Sequence, residues 1–304
     1  MGSTIGQSSS PASLLDRLGL WPGRISWFLL PLLAGGALSA GLDTADRAVQ
    51  ITAGVMLWAA WFVGFVALLA PSTMSLTVYR VLAPVPLVAL IIVLVGAGGV
   101  SADQATVAAM ASAAALGLAF LPVTGDEMVN GSAYGPERRL ALRPPASLLL
   151  GPILLAWVLM VSATIAGPLL LASQRWLFGI PITAAAGFLL YRGGKSLHQL
   201  ARRWIVFTPA GFVIHDYFVL AESILLRRQD IAALGPAPAE PRGTIDLSAG
   251  AIGLALQVEA KDPINIAIRD GRNVTTADTV RMIFSPTLPG QLLREARVRG
   301  IKIS

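Results

Sequence analysis

Residues 176–215 read WLFGIPITAAAGFLLYRGGKSLHQLARRWIVFTPAGFVIH, and within this stretch the chain passes from one solvent into another. Positions 176–191 carry no charge. Arg192, Lys195, His198, Arg202 and Arg203 then follow in quick succession. Beyond them the pattern alternates, with Trp204, Val206 and Thr208 set against Ile205 and Phe207. An unbroken apolar run belongs in lipid, whereas period-two alternation belongs to a half-buried antiparallel strand. Working outward, the chain divides into an N-terminal cytoplasmic segment (1–24), a six-helix transmembrane domain (25–192) and a soluble domain rich in strands (195–304).

Composition agrees with that division. Mean hydropathy is +0.68 and charged residues make up 13%, against about 25% in soluble domains. From Lys195 onward there are 14 Lys/Arg and 10 Asp/Glu, of 23 and 17 in the whole chain, so the charge is concentrated in the last third. The absence of cysteine excludes disulfides and thiolate metal sites, and two histidines cannot build a His-rich metal centre. No cofactor is indicated. The net charge of +6 fits positive loops on one membrane face better than nucleic-acid binding. Arginine outnumbers lysine 20 to 3 in an alanine-rich chain, which reads as the product of a high-GC bacterial genome.

A helix needs about 20 apolar residues to cross the hydrocarbon core. Six candidates occur at about 25–42, 48–70, 81–100, 104–121, 146–172 and 176–191, each bounded by charge or turn residues. With the N-terminus inside, the inner segments carry Arg17, Arg24, Arg80, Arg138, Arg139 and Arg143, and the outer ones only Arg47 and Arg175. This predicts a multi-pass protein of the bacterial plasma membrane with N-terminus and C-terminal domain cytoplasmic. A cleaved signal peptide is disfavoured, because the leading polar segment is long and a second span follows almost at once. Trp21, Trp27 and Trp176 are expected at the membrane interfaces. Span interiors essentially free of ionisable residues argue against ion coupling. Pro31, Pro84, Pro86, Pro152, Pro168 and Pro181 interrupt spans, as proline commonly does in membrane helices. Ala105, Ala109, Ala113 and Gly117 form a small-residue stripe suited to close helix packing.

In the tail, Phe212–His215, 252–258, Ile264–Ile268 and Val280–Phe284 continue the alternation, with turns expected at Lys261-Asp262-Pro263 and Asp270-Gly271. An amphipathic helix is expected around Leu292, Leu293, Glu295 and Ala296. About seven short strands and a terminal helix result. The run from Trp204 to Val213, and Leu225-Leu226-Arg227-Arg228-Gln229-Asp230-Ile231, resembles the opening of bacterial pleckstrin-homology-like (PH-like) domains of membrane proteins. The resemblance covers about 100 residues. It implies a mainly-β PH-like barrel and a binding or assembly role, and it does not extend to the helices.

Two sets of side chains stand out. Lys195, His198, Arg202, Arg203 and Arg228 could offer a basic face to a partner or to anionic lipid, although basic residues beside a span more often serve as topology signals. Asp126, Glu127, Arg138 and Arg139, in the connection 122–145, form the richest polar cluster near the membrane. Carboxylates beside arginines could serve chemistry on a phosphorylated lipid carrier, but Asp-Glu in a glycine-containing loop is most often a solvated turn. Leu121–Gly125 matches a sorting pentapeptide and Asn130 and Asn273 match glycosylation acceptors; all three are out of context. His215-Asp216 has no serine nucleophile to partner it. No catalytic residue and no metal ligand is assigned. The sequence therefore favours a non-enzymatic scaffold or regulatory protein, its partners being membrane lipids and another membrane or envelope protein. The alternatives are a transporter, or transporter subunit, for an uncharged or lipidic substrate, and an enzyme processing lipid carriers at the 122–145 loop.

Overall fold

A computed structural model of the chain describes residues 17–96, 99–149, 151–240, 243–271 and 273–304; most of the N-terminal segment 1–24 lies outside them. Six helices are long and apolar enough to cross a membrane: Trp21–Leu42, Arg47–Leu69, Thr73–Gly96, Ala102–Phe120, Ala146–Ala172 and Trp176–Ala201.

Three of these spans differ from the sequence expectation, the first in beginning at Trp21, so that Arg24 is a helical residue. The third begins at Thr73, capped by the Ser72 hydroxyl accepting from the Ser75 amide at 3.0 Å. It is built from two helices, Thr73–Leu82 and Val85–Gly96, that meet at Pro84, where the ring lacks an amide hydrogen and breaks the ladder. Arg80 is therefore inside a span, not in the loop before it. The sixth span continues to Ala201, carrying Lys195 and His198 as helical residues.

Packing within the bundle is close. Trp27 and Trp61 exchange indole-to-carbonyl hydrogen bonds, at 2.8 and 3.0 Å, and clasp the first two spans. A Cβ at Gly64 would overlap the Trp27 ring. Trp27 is thus a core residue and not an interface anchor, while Trp21 and Trp176 are exposed. The buried small-residue stripe of the fourth span is offset from the expected one by about one residue, a rotation of about 100°. Ala108, Ser112, Ala115 and Ala119 are buried, whereas Ala113 and Gly117 face outward.

The C-terminal region forms two four-stranded sheets that do not close into a barrel. One has order β1-β2-β3-β4 and the other β5-β7-β8-β6. Strands β2 (Arg203–Phe207), β3 (Gly211–Asp216), β4 (Ile224–Arg227), β5 (Ile231–Pro236), β6 (Ile245–Asp246), β7 (Leu256–Asp270) and β8 (Asn273–Phe284) follow the last span. Strand β1 (Arg138–Ala141) does not: it belongs to the connection between the fourth and fifth spans, and pairs antiparallel with β2. The C-terminal β unit therefore includes a strand from the connection between the fourth and fifth spans. Leu140, Ile205, Phe207, Phe212, Met282 and Phe284 fill the core, and the terminal helix Pro289–Val298 adds Leu292 and Ala296.

Strand β2 is buried at all five positions. Ile205 and Phe207 face the sandwich core, while Trp204 and Val206 join a cluster with Met128, Val129 and Tyr79 on the membrane side. The alternation is real, but both faces are covered. Strand β7 absorbs the turn expected at Lys261-Asp262-Pro263: register passes from Glu259↔Arg281 to Ile264↔Thr279, leaving residues 260–263 opposite Val280 alone. A proline is tolerated at such a bulge. The Asp270-Gly271 turn forms as expected, with Gly271 at φ 60°. Ile252 and Leu254 lie outside any strand and are exposed.

Candidate functional site at the membrane junction

The connection 122–145 opens with a short helix, Pro122–Asn130, started by proline in its first turn. Strand β1 lies along it. On one side β1 pairs with β2; on the other, the amides of Arg139 and Ala141 would be unpaired. Asn130 Oδ1 accepts from the Arg139 amide at 3.0 Å and Asp126 Oδ1 from the Ala141 amide at 2.8 Å. Four residues along a helix advance about 6 Å and two along a strand about 7 Å. The two acceptors are thus spaced to cap alternate amides of the edge strand. Arg138 Nη2 lies 3.0 Å from Glu127 Oε1 and 3.6 Å from Asp126 Oδ2. The Thr287 hydroxyl donates to the Ala141 carbonyl at 3.0 Å. Asp126 is only 1% exposed. Burial pushes its carboxyl up to about 7, against the Ala141 amide, Arg138 and Thr287, which lower it, while Glu127 adds to the rise.

The basic residues do not share a face. Lys195 is exposed and donates to the Tyr191 hydroxyl at 2.7 Å. His198 turns into the bundle, with Nδ1 3.4 Å from the Thr77 hydroxyl of the third span. Arg202 caps the sixth span and lies over the Tyr217 ring at 5.7 Å. Arg228 donates to the Arg299 carbonyl beyond the terminal helix.

Arg203 corrects the sequence reading most sharply. It is 2% exposed and grips Asp216 with Nε at 2.9 Å and Nη2 at 2.7 Å. Nη1 donates to the Arg143 carbonyl at 2.8 Å. Its planar fork matches a carboxylate in two-point geometry, so it ties β2, the end of β3 and the 122–145 connection together. It is not available to a headgroup. His215 is likewise structural: it stacks on Trp204 at 4.5 Å and shares a hydrogen bond with Ser223 at 2.9 Å. Burial, with Arg202 and Arg139 nearby, lowers its pKa against the pull of Asp216.

Between the helices and the sheets lies a cavity of about 520 Å³, bordered by Arg80, Phe120, Gly125, Arg143, Trp157 and Leu200 among others. On the sequence alone Arg80 and Arg143 serve only as topology signals. The available signal was the apolar context of Arg80, flanked by Leu76, Val78 and Leu82. Arg80 Nε donates to the Ala119 carbonyl at 3.2 Å, and its guanidinium lies 5.5 Å over Phe120. Arg143 donates to the carbonyls of Ile252 (2.7 Å) and Pro286 (3.1 Å). No group of three or more metal-ligating side chains occurs among the described residues. Comparison with protein-family models, curated proteins and solved structures finds no match to this chain.

Proposed function

We propose that this chain is a non-enzymatic scaffold or regulatory protein of a bacterial plasma membrane. Its PH-like β unit stands on the cytoplasmic side as a platform for a partner protein or the anionic inner leaflet. The observation that carries this reading is the commitment of the 122–145 polar residues. Asp126 and Asn130 cap β1, and Arg138 is held by Glu127 and Asp126. Side chains spent in this way serve attachment of the β unit better than turnover of a lipid carrier. The first span's start, the connection at Pro71 and the 122–145 connection gather at the same end of the bundle as the β unit. Leu20 clusters with Met128, and Gly131 abuts Pro71. That gathering is the arrangement the arginine distribution favours for the inner side.

The test is purification from the native membrane in mild detergent, with stoichiometry measured for whatever remains bound. A partner retained at about one per chain, kept by the double variant D126N/E127Q and lost when the β unit is loosened by R203M, is the expected result. Loss of cellular function in a folded D126N/E127Q protein would move the site to lipid-carrier chemistry and overturn the scaffold reading.

A further inference from the structure

We infer that the junction cavity is a binding site for one anionic amphiphile, its headgroup between Arg80 and Arg143 and its chain leaving between the fifth and sixth spans. This goes beyond the scaffold reading and does not depend on it.

The argument begins with charge. Arg80 lies two helical turns inside the third span. A cation there is costly in lipid unless an anion or water meets it. Its one hydrogen bond among the described residues is from Nε to a carbonyl, and none of the residues lining the cavity is Asp or Glu. Arg143 likewise donates to carbonyls alone. The third lining arginine, Arg203, already has its counter-ion in Asp216. The cavity thus holds two cations with no carboxylate partner among the described residues.

Both guanidiniums are seated against glycine. A Cβ at Gly125 would stand 2.9 Å from Arg80 Nη2, and one at Gly253, whose φ is 128°, would overlap Arg143 Nη1. The two glycines leave room for the guanidiniums, and Arg143 takes the Ile252 carbonyl as an anchor.

The rest of the wall suits a hydrocarbon chain. Leu154 and Trp157 of the fifth span and Leu197 and Leu200 of the sixth line it, and Leu154 is open to the outside of the bundle. Ile252, 71% exposed, projects from the β unit at the same rim. An exposed isoleucine beside the spans is at home against acyl chains. The volume lies within the range of ordinary ligand sites. Two cations lining the cavity, and an apolar wall that reaches the outside of the bundle at Leu154, select a lipid with an acidic headgroup. A free phosphate would satisfy the arginines alone.

The experiment is native mass spectrometry of delipidated full-length protein titrated with phosphatidylglycerol or phosphatidylcholine of identical chains. One phosphatidylglycerol should bind with at least about tenfold preference. R80Q should bring the two lipids to parity, R80K should restore the preference, and L154W should block uptake of both while leaving the charges intact. Millimolar inorganic phosphate should fail to compete. Equal uptake by wild type, or selectivity undiminished in R80Q, overturns the site. Selective binding in L154W overturns the chain's path, and full competition by phosphate reassigns the pocket to a soluble anion. Because the readout needs no protein partner, it stands whether or not the scaffold test succeeds.

Discussion

Two buried carboxylates join the β unit to the membrane domain, and they are finished differently. Asp216 meets Arg203 in a two-point pair, both side chains removed from water, and Arg203 spends a further donor on the Arg143 carbonyl. Asp126 is as deeply buried, but its nearest cation, Arg138, is 3.6 Å from one oxygen and shared with Glu127. The first carboxylate has a complete counter-charge. The second has the Ala141 amide, Thr287 and a distant cation, which do not offset burial, and its pKa is raised. The lesson is that burial alone does not set the role of an acid at this junction. The completeness of its pairing does.

The comparison can be broken most forcefully at Arg203. R203M leaves Asp216 buried and uncompensated, and is expected to cost about 3–5 kcal/mol. Hydrogen exchange at β2 and β3 should accelerate strongly, while R203M/D216L should recover much of the loss. If the single variant exchanges like wild type, the pair is not what fastens the domain.

Next comes D126A, which removes the acceptor for the Ala141 amide and should cost about 1–3 kcal/mol. Protease sensitivity within 138–142 is the appropriate measurement. D126N keeps an acceptor oxygen and should cost less.

The pH dependence follows from the raised carboxyl. Between its ordinary 3.8 and about 7 the folded chain holds a proton on Asp126 that the unfolded chain has lost. Stability from this group is therefore full at low pH, falls as pH rises through that window by at most about 1.4 kcal/mol per pH unit, and is flat above it. His215, with a lowered pKa, acts in the opposite sense just below 6.5, so the quantity to measure is the difference between wild type and D126N across pH 4–8. A difference that does not change with pH would mean that Asp126 stays ionised.

The smallest effect is expected at Glu259–Arg281, a half-exposed cross-strand pair at 2.9 Å. E259Q should change stability by less than about 1 kcal/mol and weaken further in salt. A large loss there would show that exposure does not separate the pairs as argued.

Six apolar runs, the alternating strands and the Asp270-Gly271 turn are determined by the sequence itself. Each depends on residues adjacent in the chain, and a span needs only length and apolarity. On the sequence alone Arg80 looks like the start of the third span and Arg192-Gly193-Gly194-Lys195 like the end of the sixth. The helix carries both through, since a long basic side chain can reach an interface or a cavity without ending the helix.

What only the tertiary structure decided is where faces meet. Nothing local marks Arg138–Ala141 as an edge strand: its pattern becomes a strand because β2 offers one side and the Pro122–Asn130 helix offers Asp126 and Asn130 on the other. The stripe that packs in the fourth span is Ala108–Ala119 and not its neighbour, because helix rotation answers to the first span. Arg203 reads as one more basic residue after a span, yet it is a buried clamp, because Asp216 arrives opposite it through the β2–β3 register. Local periodicity fixes which solvent each segment needs. Pairing between distant segments decides which polar groups are used up in holding the fold, and which, like Arg80, are left facing a cavity.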